Sequence, residues 1–262
     1  LTPGPTVVDG AFSHPATGIS PRRFVGRQGI FTESGDVHGY EFLYRAGREH
    51  TLRVDRWSAA AQDRATLRVL EATFSGTGVQ SVAAHALVFV SLTRSLLVSD
   101  LPVPPRPGHL VIEVVESVRA DAAVVRGVAT LRAQGFRIAI DDFVGLDSQL
   151  PLLPYADYVT IDRRDLVRGP ALVDLARTYG ATLVAERIET AAEWERCRAL
   201  GFDLFQGNHL EATQVLNRTP IMSRRPVARS WTPKTVGGTT SSARTAASTA
   251  ATIPSPRAPV AR

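Results

Sequence analysis

Cysteine occurs once in the 262 residues, at Cys197, which excludes an internal disulfide framework and a cysteine-built zinc site. Lysine also occurs once, at Lys234, and asparagine is absent before Asn208. Neither an ammonium nor an asparagine amide is therefore available to a site built earlier in the chain. No run of eighteen apolar residues is present, so no transmembrane helix is expected. Residues 1–23 lack the basic-then-apolar order of a secretory signal. A cytoplasmic protein is the expectation from these absences.

Acids are missing from one part of the chain. Eight basic residues and no acid lie from Asn217 to Arg262, so a chain of net charge +5 carries −3 over residues 1–216. The basic character belongs to this tail, whose charges are scattered and whose one aromatic is Trp231. A nucleic-acid partner is accordingly not expected. The tail is rich in Pro, Ser and Thr, and residues 1–22 have a similar look. Neither buries enough apolar surface to offset the entropy of ordering it. The expected organisation is a disordered leader over 1–22, a folded domain over 23–216 and a disordered basic tail over 217–262.

The middle of the chain alternates two periodicities. Phe24–Phe31 and Val37–Arg45, separated by Glu33-Ser34-Gly35-Asp36, read as a β-hairpin. Short apolar runs at Ala86–Leu92, His109–Val115, Arg137–Ile140, Tyr158–Ile161, Thr182–Ala185 and Asp203–Phe205 read as strands. Helical spacing over Ser58–Phe74, Ala120–Gln134, Leu172–Tyr179 and Ala191–Leu200 separates most of them. Gly135, Gly180 and Gly201 stand where helix-closing glycines belong. Short continuous apolar strands alternating with helices indicate a parallel sheet buried on both faces. The fold expected is α/β, a TIM-like (β/α) barrel over roughly residues 23–212. An open doubly wound sheet is the competitor, weakened by the lack of a glycine-rich phosphate loop after any strand.

The acids recur at the ends of successive strands: Glu41, Glu113 with Glu116, Asp141 with Asp142, Asp162, and Glu186 with Glu189. In a barrel such positions converge on one mouth. Carboxylates gathered there stay ionised only with cations among them. An oxygen-rich set suits Mg²⁺ or Mn²⁺, and two such ions can clamp a phosphodiester and activate water. Taken singly, each acid could equally be a helix cap or a turn residue. Cys197 reads as a small apolar filler, Trp57 and Trp194 as packing residues, and Arg163-Arg164 as a solvated face or cap. His38, His50 and His85 have no ligand-like spacing.

These segments carry a resemblance. Phe24-Val-Gly-Arg-Gln-Gly-Ile-Phe31 followed by Gly39-Tyr-Glu-Phe-Leu-Tyr-Arg45 resembles the opening of the EAL domain, in the branch where an HDOD domain follows. Ile112-Glu-Val-Val-Glu116, Ile140-Asp-Asp-Phe143, Asp157-Tyr-Val-Thr-Ile-Asp162, Val184-Ala-Glu-Arg-Ile-Glu-Thr190 and Leu200-Gly-Phe-Asp-Leu-Phe-Gln-Gly207 resemble its later motifs, in order. The resemblance implies a barrel that hydrolyses cyclic di-GMP to the linear dinucleotide with Mg²⁺ or Mn²⁺. It implies Glu41, Glu113, Asp141 and Asp142 as metal ligands and Glu186 as a general base or ligand. It places Arg45 and Gln206 on the substrate, with Glu116 and Glu189 as supporting acids.

The pattern also breaks. The family's metal-binding Asn falls on Ser91, and its Lys before Ile-Asp falls on Thr160. The Asp-Asp-Phe motif continues Val144-Gly-Leu-Asp-Ser148 rather than Gly-Thr-Gly, and the central Ala of the signature is Phe42. No HDOD-like text follows Ala212-Thr213. The expectation is a degenerate EAL protein of cyclic di-GMP signalling, a nucleotide- or protein-binding regulatory module with little or no hydrolysis and no cofactor. The alternatives are an active metal-dependent phosphodiesterase yielding linear pGpG, and a different barrel enzyme using the same acids.

Overall fold

The structure is a computed structural model and describes residues 23–45, 57–74, 83, 86–99, 108–218 and 255–260. The expected leader, most of the expected tail, His50, His85 and Trp231 lie outside the described residues. Along the chain run β1 (Arg23–Thr32), β2 (Val37–Arg45), α1 (Ala59–Phe74), β3 (Leu87–Leu92), α2 (Arg94–Val98) and β4 (Leu110–Val114). Then follow α3 (Ala122–Ala133), β5 (Arg137–Ile140), β6 (Tyr158–Asp162), α4 (Pro170–Ala176), β7 (Thr182–Glu186), α5 (Ala191–Ala199), β8 (Leu204–Phe205) and β9 (Gln214–Arg218). Two 3₁₀ segments, Leu150–Tyr155 and Arg163–Arg168, flank β6.

Strands β2 to β8 pair in parallel and in chain order, and β1 closes the barrel by pairing antiparallel with both β2 and β8. The open doubly wound alternative is thereby excluded. Closure at β1 is uneven. Phe31 and Thr32 pair with Phe205 and Leu204 of β8, whereas Arg23 to Arg27 pair with β9. Strand β9 was not legible in the sequence, and it runs past the boundary expected at 216.

The helix ends follow local chemistry. Asp121 caps α3 by accepting from the amides of Ala123 and Val124 at 2.9 and 3.0 Å. Thr190 and Glu193 form a reciprocal capping box on α5, an arrangement that satisfies two otherwise orphan donors. Caps of this kind contribute about 1 kcal/mol each.

Alternation along the strands divides the core in two. Outward residues such as Val88, Val90, Ile112, Ile138, Ile161 and Leu183 pack under the helices. Inward residues Ile30, Phe89, Val111, Ala139, Tyr158, Val184 and Leu204 fill the barrel. Strand β2 contributes Gly39 at that level, and a Cβ there would lie 2.8 Å from the Phe89 ring. The missing side chain thus makes room for the Phe89 ring. Truncating the fully buried Phe89 to Ala would cost about 3–5 kcal/mol. Cys197 is buried as expected, and burial pushes its thiol up to about 11.

Residues 255–260 lie against the barrel at the end where the parallel strands begin. Arg257 donates to the Ala156 carbonyl at 2.6 Å and pairs with Asp157, and its amide reaches Pro154 O at 3.0 Å. The Val260 amide donates to Thr178 O at 2.8 Å. Among the described residues no helix is long and apolar enough to cross a membrane.

Candidate active site

Two residues beyond the apolar layer, the inward face turns polar on every strand. Gly39 is followed by Glu41, Phe89 by Ser91, Val111 by Glu113 and Ala139 by Asp141. Tyr158 is followed by Thr160, Val184 by Glu186 and Leu204 by Gln206. On β1, which runs the other way, Gln28 precedes Ile30. Eight strands thus supply one polar residue each to a ring at the mouth, floored by apolar side chains. Above it opens a cavity of about 1140 Å³, whose lining includes Gln28, Glu41, Ser91, Asp141, Glu186 and Gln206. Glu113 is 1% exposed and lies below the cavity surface.

The ring is hydrogen-bonded within itself. Gln206 Nε2 donates to Glu41 Oε2 at 2.7 Å and to Gln28 Oε1 at 3.4 Å. Ser91 Oγ donates to Glu113 Oε2 over a long 3.4 Å. Thr160 Oγ1 donates to Asp141 Oδ1 at 3.1 Å and accepts the Asp142 amide at 3.0 Å.

The acids perturb one another. Burial first, and neighbouring carboxylates second, hold Glu113, Asp141 and Glu186 well above the usual carboxylate range. Glu41 is raised by burial against the opposing Gln206 hydrogen bond. Asp142 is raised by burial, with Arg187 opposing. Carboxylates gathered in this way favour their protonated forms unless cations are placed among them.

Asp141 and Asp142 are consecutive, yet both line the mouth, which strand alternation alone forbids. Asp142 resolves this with a left-handed backbone, φ 43°, a conformation Asp tolerates better than most residues. The next residue, Phe143, is then fully buried. Strand β7 repeats the device: Glu186 faces the mouth, Arg187 has φ 56° and Ile188 is fully buried. An Arg in this region costs roughly 1–2 kcal/mol. At the end of β8, Gly207 takes φ 153°, where a Cβ would lie 2.1 Å from Ile188 O, so only glycine fits.

One oxygen from each of Asp141, Asp142 and Glu186 lies within 4.8 Å of the others. Asp142 Oδ1 is buried with no hydrogen-bond partner. An orphaned carboxylate oxygen within an all-oxygen cluster is what a hard divalent cation satisfies, so these residues fit Mg²⁺ or Mn²⁺. Glu41 and Glu113 belong to the ring but not to that tight cluster.

The remaining predicted residues sit on the rim. Arg45 lines the cavity, half-buried, with Nη1 on Tyr44 O at 3.1 Å. Glu116 is exposed on the cavity edge. Glu189, also exposed, pairs with Arg163 at 3.1 Å. Sequence reasoning passed over Gln28, because its strand runs backwards, and the cations that gather on Asp162. That acid is 3% exposed. It accepts from Arg164 Nε at 2.9 Å and pairs with Arg187 Nε at 2.9 Å. Burial would raise its carboxyl, but the Arg164 hydrogen bonds outweigh that and hold it below the usual range. The clue was present in Arg163-Arg164 and in Arg187, each beside a strand-end acid.

The model of the EAL domain family matches residues 28–212. The chain belongs to the EAL domain family. This EAL domain is 31% identical over 204 residues to the uncharacterized Bacillus subtilis protein YuxH, covering 75% of this chain and 48% of YuxH. It is 27% identical over 213 residues to the cyclic di-GMP phosphodiesterase CdgJ of Vibrio cholerae, covering 78% and 48%. The chain therefore spans about half the length of these relatives. Its fold matches Klebsiella pneumoniae BlrP1, solved with manganese and cyclic di-GMP, at a TM-score of 0.61 and 22% identity, covering 79% of this chain and 59% of that one.

Proposed function

We propose that this EAL domain binds cyclic di-GMP in the cavity above the carboxylate ring and acts as a regulatory module with little or no hydrolysis. One observation carries this reading. The ring keeps its acids, but Ser91 and Thr160 stand where the family resemblance places an amide and an ammonium, and both hydroxyls are turned into neighbouring carboxylates. A hydroxyl brings neither the reach of an amide nor a charge. Interactions of that kind at developing charge are each worth roughly 10²–10³ in rate, and groups acting together need not add.

In this reading Asp141, Asp142 and Glu186, with Glu41 and Glu113 beside them, would hold Mg²⁺ or Mn²⁺. When bound, such ions neutralise phosphate charge and activate water. Arg45 offers a charge-assisted contact to a phosphate. Gln206 keeps Glu41 oriented and has an oxygen left for substrate. Glu186 is the candidate base, and Glu116 and Glu189 shape the anionic rim.

A second reading, retained hydrolysis, draws on the tight Asp141–Asp142–Glu186 cluster and the orphaned Asp142 oxygen. Titrating cyclic di-GMP into the whole chain with and without Mn²⁺, followed by product analysis, separates the two. Binding without linear pGpG supports the regulatory module, and Mn²⁺-dependent pGpG supports the enzyme. Neither, in folded protein, leaves a protein-binding scaffold and rejects both.

A further inference from the structure

Asp142 and Arg187 are, among the described residues, the non-glycine residues with left-handed backbone, and their side chains meet at the mouth. Backbone strain of this kind persists only where the surroundings impose it, and it concentrates at working sites. At φ 56° Arg187 holds a backbone that glycine adopts without strain, so an Arg side chain there is the unexpected feature.

That side chain has an unequal grip. Its Nε holds Asp162 Oδ2 at 2.9 Å, whereas Nη2 is 3.9 Å from Asp142 Oδ2. The first contact is a close ion pair; the second is a loose Coulomb contact that leaves Asp142 Oδ1 buried and unpartnered. Asp162 is already satisfied by Arg164, through both the backbone amide and the guanidinium. Two guanidiniums on one carboxylate leave one positive charge in excess. Beside them Thr160 offers no charge, although it occupies the ring position of β6.

We propose that Arg187 is a resident counter-cation of this mouth, which a divalent ion displaces from Asp142 and which then receives a phosphate of the nucleotide while Asp162 keeps it tethered. The proposal rests on the nucleotide-binding reading above. It makes Arg187 a binding residue that supplies from β7 the charge absent at Thr160. The planar guanidinium is suited to both partners, since it can hold a carboxylate through Nε and still present two N–H groups to a phosphate.

Two affinities respond in opposite directions, which a merely structural Arg would not produce. Removing a cation a few ångströms from Asp142 should tighten Mn²⁺ binding about tenfold. Removing a phosphate contact should weaken cyclic di-GMP binding about tenfold or more. The experiment is calorimetric titration of the full chain, in wild type, Arg187→Gly and Arg187→Lys, first with Mn²⁺ alone and then with cyclic di-GMP in the presence of Ca²⁺. Glycine suits the left-handed backbone, so Arg187→Gly should fold, and Arg187→Lys keeps the charge as a second variant. Opposite shifts in Arg187→Gly, with Arg187→Lys near wild type for Mn²⁺ but weaker than wild type for cyclic di-GMP, support the proposal. Both affinities within twofold of wild type, or both moving the same way, overturn it while leaving the nucleotide reading intact. Wild type that binds Mn²⁺ but no cyclic di-GMP overturns the nucleotide reading and the phosphate role together.

Discussion

Asp142 Oδ2 and Arg187 Nη2 lie 3.9 Å apart at the mouth, and each residue, directly after a ring acid, leaves strand alternation through its own left-handed backbone. The backbone at 187 is thus set for glycine while the side chain is held by Asp162. Replacing Arg187 by Ala loses the ion pair and keeps the strain, whereas Gly loses the pair and the strain together. Arg187→Ala should therefore be less stable than Arg187→Gly by about 1 kcal/mol, read from urea unfolding midpoints of the metal-free protein.

The buried acids give the metal-free fold a pH signature. The Glu113 carboxyl lies well above its ordinary value of 4.5 in the fold, so the native state binds that proton more tightly than the unfolded chain. Stability from this group is full below the ordinary value and is lost as pH rises toward the raised one. Glu113→Gln removes the loss. Its thermal midpoint should exceed wild type by about 2–4 °C near pH 8 and match it near pH 4. A constant offset at both pH values would count against the assignment.

The two hydroxyls make a gain-of-function test. Ser91→Asn with Thr160→Lys restores an amide and an ammonium to the ring. The double variant should release linear pGpG from cyclic di-GMP with Mn²⁺ at least about a hundredfold faster than wild type, measured by chromatography. Equal rates would show that the hydroxyls do not limit the reaction.

Arg257 ties residues 255–260 to the base of the barrel, through a pair whose side chains are 31% and 20% exposed. A partly exposed pair of this kind contributes little, about 1 kcal/mol at most. Arg257→Ala should leave the global unfolding midpoint nearly unchanged and abolish hydrogen-exchange protection of the Val260 amide. Persistent protection would show that Val260 docks independently of Arg257.

Much of this molecule was legible in the order of its residues. Acids such as Glu113 and Glu186 at the ends of short apolar strands announce a mouth lined with carboxylates, and four of the eight strands place one in the ring. What escaped was non-local. Gln28 joins the ring only because β1 is antiparallel, so its polar residue comes before its apolar one. β9 is stabilised by pairing with a strand nearly two hundred residues away in sequence, and its own composition is not strand-like. The positive φ at Asp142 and Arg187 is imposed by the need to bury Phe143 and Ile188 directly behind them, a requirement of packing rather than of propensity. Ser91 and Thr160 were legible as departures, but their turn toward Glu113 and Asp141 belongs to the assembled barrel.

The uneven closure at β1 bears on how the mouth can change width. Below the ring, β1 and β8 are laced by backbone pairing at Phe31 and Thr32. Level with the ring, the seam is held by side chains: Gln206 reaches Gln28, and Glu211 caps the Gly29 amide at 2.8 Å. Parting the wall there would unfasten a few side-chain clasps and leave every rung of the parallel ladder in place. The barrel is thus a hoop with a buckle, and the buckle sits beside the carboxylates.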